Sequence, residues 1–296
     1  MIATLRIDGG VIVTMDGGEP GGLGVVDGGV VLCGEGKILP PDAEVAKHAT
    51  RIDARGRVVA PGLVDPHAHP IFAGHRAHEF ALRARGLSYA EIAAAGGGIF
   101  ATVRATRDAA DDVLLRATRG RLRTMRRHGV TTCEAKSGYA LDVEGELRLL
   151  RLLREAGGPV EIVPTLLGAH AVPPALFDRA AYVESVAAEM VPRAATDGLA
   201  RFCDVFCDEG AFSLDEARRV LEAARAAGLG LRLHAGQFAD GGAAELAGEL
   251  GAASADHLEH VSSRGIEALA RGGVVATLLP GAALVLGLPW PPARAL

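Results

Sequence analysis

From residue 58 onward the chain repeats one pattern: a short apolar run, a polar loop, then an amphipathic helical stretch. Parallel strands buried on both faces read as nearly continuous apolar runs, and each pair needs a long crossover connection, usually a helix. The spacing predicts strands at 58–65, 130–135, 160–167, 201–207, 230–234, 253–257 and 274–279. Helices are predicted at 110–128, 142–156, 181–195, 213–227, 241–250 and 262–271. Ser213 and Ser262 stand where N-caps belong, and Glu216 completes a capping box with Ser213. The fold class is therefore α/β, a TIM-like barrel of the (β/α)8 kind. About seven strands can be counted where eight are needed. The expectation is an incomplete barrel, read as a fragment or truncated product of a longer chain. A native seven-stranded barrel is the alternative.

Residues 1–57 read differently. TLRIDGG, GVIVTMDGG, GGVVLCGEG and ATRIDARG are short β-like runs divided by Gly and Asp turns. The expected organisation is a small β domain at 1–57, followed by the barrel at 58–296. Composition excludes several classes. Hydrophobic residues make up 49% and charged residues 23%, which suits a folded globular chain. A net charge of −5 with no basic block leaves no footprint for nucleic acid. No apolar run reaches the ~18 residues of a membrane span. The N-terminal stretch lacks signal-peptide features, so a cytoplasmic protein is expected. Cys33, Cys133, Cys203 and Cys207 are read as buried thiols; a metal clip at Cys203 and Cys207 is the weaker alternative.

The segment VVAPGLVDPHAHP, residues 58–70, ends in Asp65-Pro66-His67-Ala68-His69. Side chains at i and i+2 of a strand share a face, so both imidazoles can converge on one cation at ~2.0–2.1 Å. In a barrel the C-terminal strand ends meet over one mouth. Read in order, those ends carry His67 and His69; Glu134, Lys136 and Tyr139; His170; Asp204 and Asp208; His234 and Gln237; His257 and Glu259. Five of the ten histidines fall there, which a scatter of surface residues would not select. His67, His69 and His234 are the expected ligands of one divalent ion, zinc or iron. Alone, His234 could equally be a hydrogen-bonded core histidine. His257 is placed to donate to a developing oxyanion or to move a proton, with a structural histidine as the alternative. Gly96-Gly97-Gly98 is read as a turn, because a lone glycine run is weak evidence for a phosphate cradle.

These strand ends resemble the metal-dependent amidohydrolases, and among them the imidazolonepropionase family. The resemblance rests on DPHAHPIFAGHR (65–76), SYAEIAAAGGGIFATVRATR (88–107), TTCEAKSGY (131–139), TLLGAHAVPP (165–174), LRLHAGQ (231–237), SADHLEH (254–260) and LLPGA (278–282), in order along the chain. It implies hydrolysis of the cyclic amide 4-imidazolone-5-propanoate to N-formimidoyl-L-glutamate in histidine degradation, with a small molecule as the partner. It also implies that Arg76 grips the substrate carboxylate through a guanidinium fork, that Tyr139 and His170 contact substrate, and that Gln237 faces it. Without the resemblance, Arg76 reads as a surface residue, and Tyr139 and His170 as loop packing. The resemblance also makes the small β domain at 1–57 half of a sandwich, and the family's eighth-strand Asp ligand and the Asn-Pro-Gly segment after it have no counterpart here. A homodimer is compatible with this reading. Two rivals stand beside it: another amidohydrolase, either a cyclic amidase or a deaminase, and a truncated chain without catalysis. Related deaminases usually place a Glu where Gln237 stands, to shuttle protons, which an amide cannot do.

Overall fold

The computed structural model describes residues 1–18, 22–87, 89–158, 160–173 and 178–296. Ser88 and Pro174, which bound two of the matching segments, lie outside the described residues. The chain divides into two compact units, Met1–Leu63 and Val64–Leu296.

The first unit is a small sheet of β1 (Ala3–Val13), β2 (Val25–Gly34), β3 (Lys37–Leu39), β4 (Val45–Asp53) and β5 (Val58–Val59). Its order is β3-β2-β1-β4, with β5 also on β1. β2 runs antiparallel to β1, whereas β4 and β5 run parallel to it. Gly9, at a φ of 79°, sits where the β1–β2 register shifts, a bulge that needs this backbone freedom. Ala3, Leu32 and Leu39 form a small buried cluster. The predicted strand 58–65 is not one strand, because Val58 and Val59 pair with Val11 and Ile12 in this sheet. The next strand begins only at Leu63.

The second unit carries β6 (Leu63–Ala68), β7 (Val130–Lys136), β8 (Glu161–Ala169), β9 (Phe202–Cys207), β10 (Gly230–Ala235), β11 (Ser254–His257) and β12 (Val275–Thr277). They form one sheet in sequential order, and the pairs from β7 to β12 are parallel. This is the nearly closed, seven-stranded barrel expected from the alternation. Among the described residues, four helices precede β7: α1 (Ala77–Ala84), α2 (Tyr89–Ala94), α3 (Gly98–Asp108) and α4 (Asp111–Arg127). The others are α5 (Val143–Ala156), α6 (Arg179–Ser185), α7 (Val191–Thr196), α8 (Leu214–Ala226), α9 (Ala243–Leu250), α10 (Ser263–Gly272) and α11 (Pro280–Leu286). Ser213 and Glu216 form the reciprocal capping box, and Ser262 caps α10 through the Gly265 amide.

The predicted helix 181–195 is broken by a π-helical turn at Val186–Met190. Pro192 has no amide hydrogen, and just before it the Val191 amide bonds the Val186 carbonyl, a wide i→i+5 step.

Strand alternation divides the side chains of the barrel. On β9, Cys203, Val205 and Cys207 face the helices and are buried, while Asp204 points inward to other polar groups. On the helix side, Leu147, Leu150 and Leu153 of α5 are fully buried. Cys203 and Cys207 are free thiols, and burial raises the pKa of both, that of Cys207 to about 12. They are core residues rather than a metal clip. Cys33 departs from the expectation of four buried thiols, being half-buried.

Candidate active site

β6 delivers His67, His69 follows one residue past its end, and β10 delivers His234. The His67 ring centroid lies 5.3 Å from His69 and 4.6 Å from His234, and His69 lies 5.6 Å from His234. One nitrogen from each of the three lies within 4.8 Å of the others. The end of β6 and the strand end of β10 thus bring His67, His69 and His234 together.

Each of two rings is held by a carboxylate. His67 Nδ1 lies 2.6 Å from Asp256 Oδ2, and His234 Nδ1 lies 3.0 Å from Asp204 Oδ1. A carboxylate accepts, so Nδ1 carries the proton in both rings and Nε2 keeps the lone pair. His67 Nε2 faces His69 Nε2 at 3.3 Å, and His69 Nδ1 is buried with no hydrogen-bond partner among the described residues. Burial, chiefly, pushes the pKa of His67 and His69 well below the usual imidazole value and lowers that of His234. All three are neutral near pH 7. Burial alone would raise the Asp204 pKa, but the Lys136 ammonium and the His234 Nδ1 hydrogen bond hold it well below the carboxylate range. Neutral imidazoles with converging lone pairs and carboxylates behind them are a donor set that fits a divalent ion.

Further rings close around the three. His170 stacks on His69 at 5.1 Å and 25°, and its Nδ1 donates to the Gly138 carbonyl at 2.9 Å. Burial, chiefly, pushes the His170 pKa down to about 3. Tyr139 lies 5.8 Å from His69 and 5.2 Å from His170. His257 lies 5.3 Å from both His67 and His234. It and Leu258 adopt φ values of 83° and 67°, two successive non-glycine residues in the left-handed region. Such strain is held only where surrounding structure over-determines it, and it clusters at functional sites. His257 Nδ1 is 3.6 Å from Glu259 Oε1, and neither that nitrogen nor either Glu259 oxygen has a hydrogen-bond partner among the described residues.

Two buried acids hold the loops that present these groups. Glu146 accepts from the amides of Gly138, Ala140 and Leu141 at 2.7, 2.8 and 2.8 Å. Asp208 accepts from the amides of Gln237, Phe238 and Ala239 at 2.7, 3.0 and 3.1 Å. Asp208 was visible as a strand-end acid. Glu146 was missed; its signal is an acid on the same helical stripe as Leu149, Leu150 and Leu153, where apolar residues belong.

Arg76 is not gathered into the ring cluster in the contacts described. It is the residue before α1, and its guanidinium lies 3.9 Å from Glu79 Oε2. Glu79 is buried and also accepts from the Gly98 amide at 2.9 Å. The glycine run 96–98 thus opens helix α3 onto an internal carboxylate, which leaves no phosphate cradle there.

No family model matches the chain. The chain is 56% identical over 247 residues to the imidazolonepropionase of Rubrobacter xylanophilus, covering 83% of this chain and 59% of that protein. It is 48% identical over 283 residues to the imidazolonepropionase of Haloarcula marismortui, covering 94% and 66%. Against that of Xanthomonas campestris pv. campestris the identity is 49% over 277 residues, covering 92% and 69%. The chain therefore spans only 59–69% of the length of these relatives. Among solved structures, atrazine chlorohydrolase TrzN from Arthrobacter aurescens, complexed with zinc, gives a TM-score of 0.67 at 17% identity, covering 100% of this chain and 69% of that one. The 5-methylcytosine deaminase from Klebsiella pneumoniae gives 0.66 at 14% identity, covering 95% and 67%. The structural likenesses speak to the fold alone. The sequence identity, over nearly the whole of this chain and more than two thirds of the Xanthomonas protein, goes further: the chain belongs to the imidazolonepropionase family.

Proposed function

We propose that the chain acts in the hydrolysis of 4-imidazolone-5-propanoate to N-formimidoyl-L-glutamate, with one divalent ion, zinc or iron, at His67, His69 and His234. The observation that carries this reading is the convergence of three neutral imidazoles from β6 and β10 in a chain 48–56% identical to imidazolonepropionases. A divalent ion held there would lower the pKa of water and polarise a carbonyl oxygen. The residues of the chain do the rest. His257, beside His67 and His234, takes a proton from the attacking water and hands it to the ring nitrogen as the bond between that nitrogen and the hydrated carbonyl carbon breaks. Tyr139 and His170 wall the pocket on the His69 side. Gln237, its backbone held by Asp208, offers an amide to the ring and cannot relay protons as a deaminase acid does. Arg76 binds the propionate carboxylate; its contact to Glu79 at 3.9 Å is too long for a hydrogen bond, so among the described residues this acid does not tie up its guanidinium. A cytoplasmic location and a homodimer complete the proposal, the latter read by light scattering as twice 30.5 kDa.

The test is product formation. The purified chain, reconstituted with zinc or iron(II), is expected to convert the imidazolone to N-formimidoyl-L-glutamate, and chelation is expected to stop it. Whichever ion restores turnover assigns the metal. A folded, metal-loaded chain that yields no product would count against the function. Arg76→Ala is expected to lower kcat/KM by an amount worth on the order of 1.5–3 kcal/mol, the value of a hydrogen bond to a charged group. Unchanged kcat/KM would return Arg76 to the surface role it has without the family resemblance.

A further inference from the structure

The hydrolytic reading leaves Lys136 without a role, although its side chain is fully buried. A lysine needed only for its methylene stem ordinarily carries its amine out to water. This amine stays inside the barrel, where Nζ donates to Glu134 Oε1 at 2.8 Å and Asp204 Oδ2 at 2.6 Å, and lies 3.6 Å from Asp256 Oδ2. Each of these acids has a second engagement. Asp204 uses its other oxygen on His234 Nδ1, and Asp256 puts the same Oδ2 on His67 Nδ1. Glu134 Oε2 accepts from the Ala68 amide, between His67 and His69, at 3.4 Å. One ammonium on β7 therefore stands behind groups from β6, β9, β10 and β11.

We infer that Lys136 is a positioning residue for the metal site: it fixes the Asp204 and Asp256 carboxylates so that His67 and His234 carry their protons on Nδ1 and present Nε2 to the ion. The inference rests on the metal reading of His67, His69 and His234. Lys136 itself need touch neither ion nor substrate. The ammonium offers three donors that one methionine of similar length cannot replace. Without them the two acids repel each other across a space of low dielectric, and each is free to turn from its imidazole. An imidazole released in this way loses the fixed direction of its Nε2 lone pair.

The test uses the 296-residue chain with 15N-labelled histidine. Long-range proton–nitrogen correlation of the metal-free protein is expected to show His67 and His234 protonated on Nδ1, with assignments from His67→Gln and His234→Gln. In Lys136→Met both signals should lose that tautomer. Zinc affinity, measured by competition with a chromophoric chelator, should fall about 10–100-fold, the usual effect of removing an outer partner of a metal ligand. Far-UV circular dichroism checks that the variant folds; Lys136→Met combined with Glu134→Gln, which removes an acid with the amine, serves if the single variant does not. A folded variant with unchanged tautomers and unchanged zinc affinity overturns the inference. So does a wild-type chain in which His67 and His234 are protonated on Nε2, a result that needs no substitution. A wild-type chain with both Nδ1 protons that binds no zinc overturns the metal reading instead.

Discussion

Replacing His67 and His69 together by alanine is expected to strip the chain of metal. Elemental analysis should fall from near one divalent ion per chain to near zero, because two of three converging nitrogens leave and His234 alone cannot hold an ion. Folding should be largely kept: both side chains face the polar interior of the barrel mouth, not the apolar layer between strands and helices. The pH dependence follows from the same burial. The folded-state pKa values of these imidazoles are depressed, so protons compete for them only at pH well below the ordinary imidazole range. Zinc affinity should therefore stay nearly flat between about pH 7.5 and 6, where solvent-exposed histidines of pKa ~6.5 would lose it. Retention of normal metal content by the double variant would place the ion elsewhere.

Glu146→Ala should cost about 3–5 kcal/mol of stability. Three amides, those of Gly138, Ala140 and Leu141, would lose their acceptor inside the protein, and each unsatisfied buried donor costs about 1–3 kcal/mol. The loss would not equal the full sum, because burial also penalises the carboxylate and raises its pKa. Glu146→Gln keeps one acceptor oxygen for two of the amides and should fall between the two. The readout is the urea midpoint, with the slope unchanged. The same loop presents Tyr139 and the Gly138 carbonyl that holds His170, so KM should rise in the alanine variant before stability fails at assay temperature. A urea midpoint equal to the parent's would mean that water or an alternative acceptor replaces the carboxylate.

Much of this was legible in the sequence, and the misses have identifiable causes. The strand–helix alternation located β7 to β12 because strands buried on both faces must be apolar throughout, and their helices carry a separate stripe. The i, i+2 pair His67 and His69 and the strand-end His234 were legible because a strand's two-residue period fixes their facing. The start of β6 was not. Val58 and Val59 are as apolar as Val64, and only pairing with Val11 and Ile12 assigns them to the other sheet. Helices α1 to α3 hide in a segment where buried Glu79, Thr102 and Thr106 share the inner face with Ile92 and Val103, so no continuous apolar stripe marks it. The π turn before Pro192 depends on packing that no periodicity records. The acids that orient the site were visible as residues but not as partners. Lys136 finds Asp204 from 68 positions away, and His67 finds Asp256 from 189. Such pairings belong to barrel closure, which local sequence does not encode.

The most direct measurement is X-ray absorption at the zinc edge on the zinc-loaded chain. A centre on His67, His69 and His234 should give a first shell of nitrogen or oxygen at ~2.0–2.1 Å, with outer-shell scattering from three imidazoles. The imidazole contribution should drop by one ring in His234→Ala and vanish with the bound metal in the His67, His69 double variant. A zinc shell lacking imidazole scattering, or one unchanged by His234→Ala, would contradict a metal centre built on these three residues.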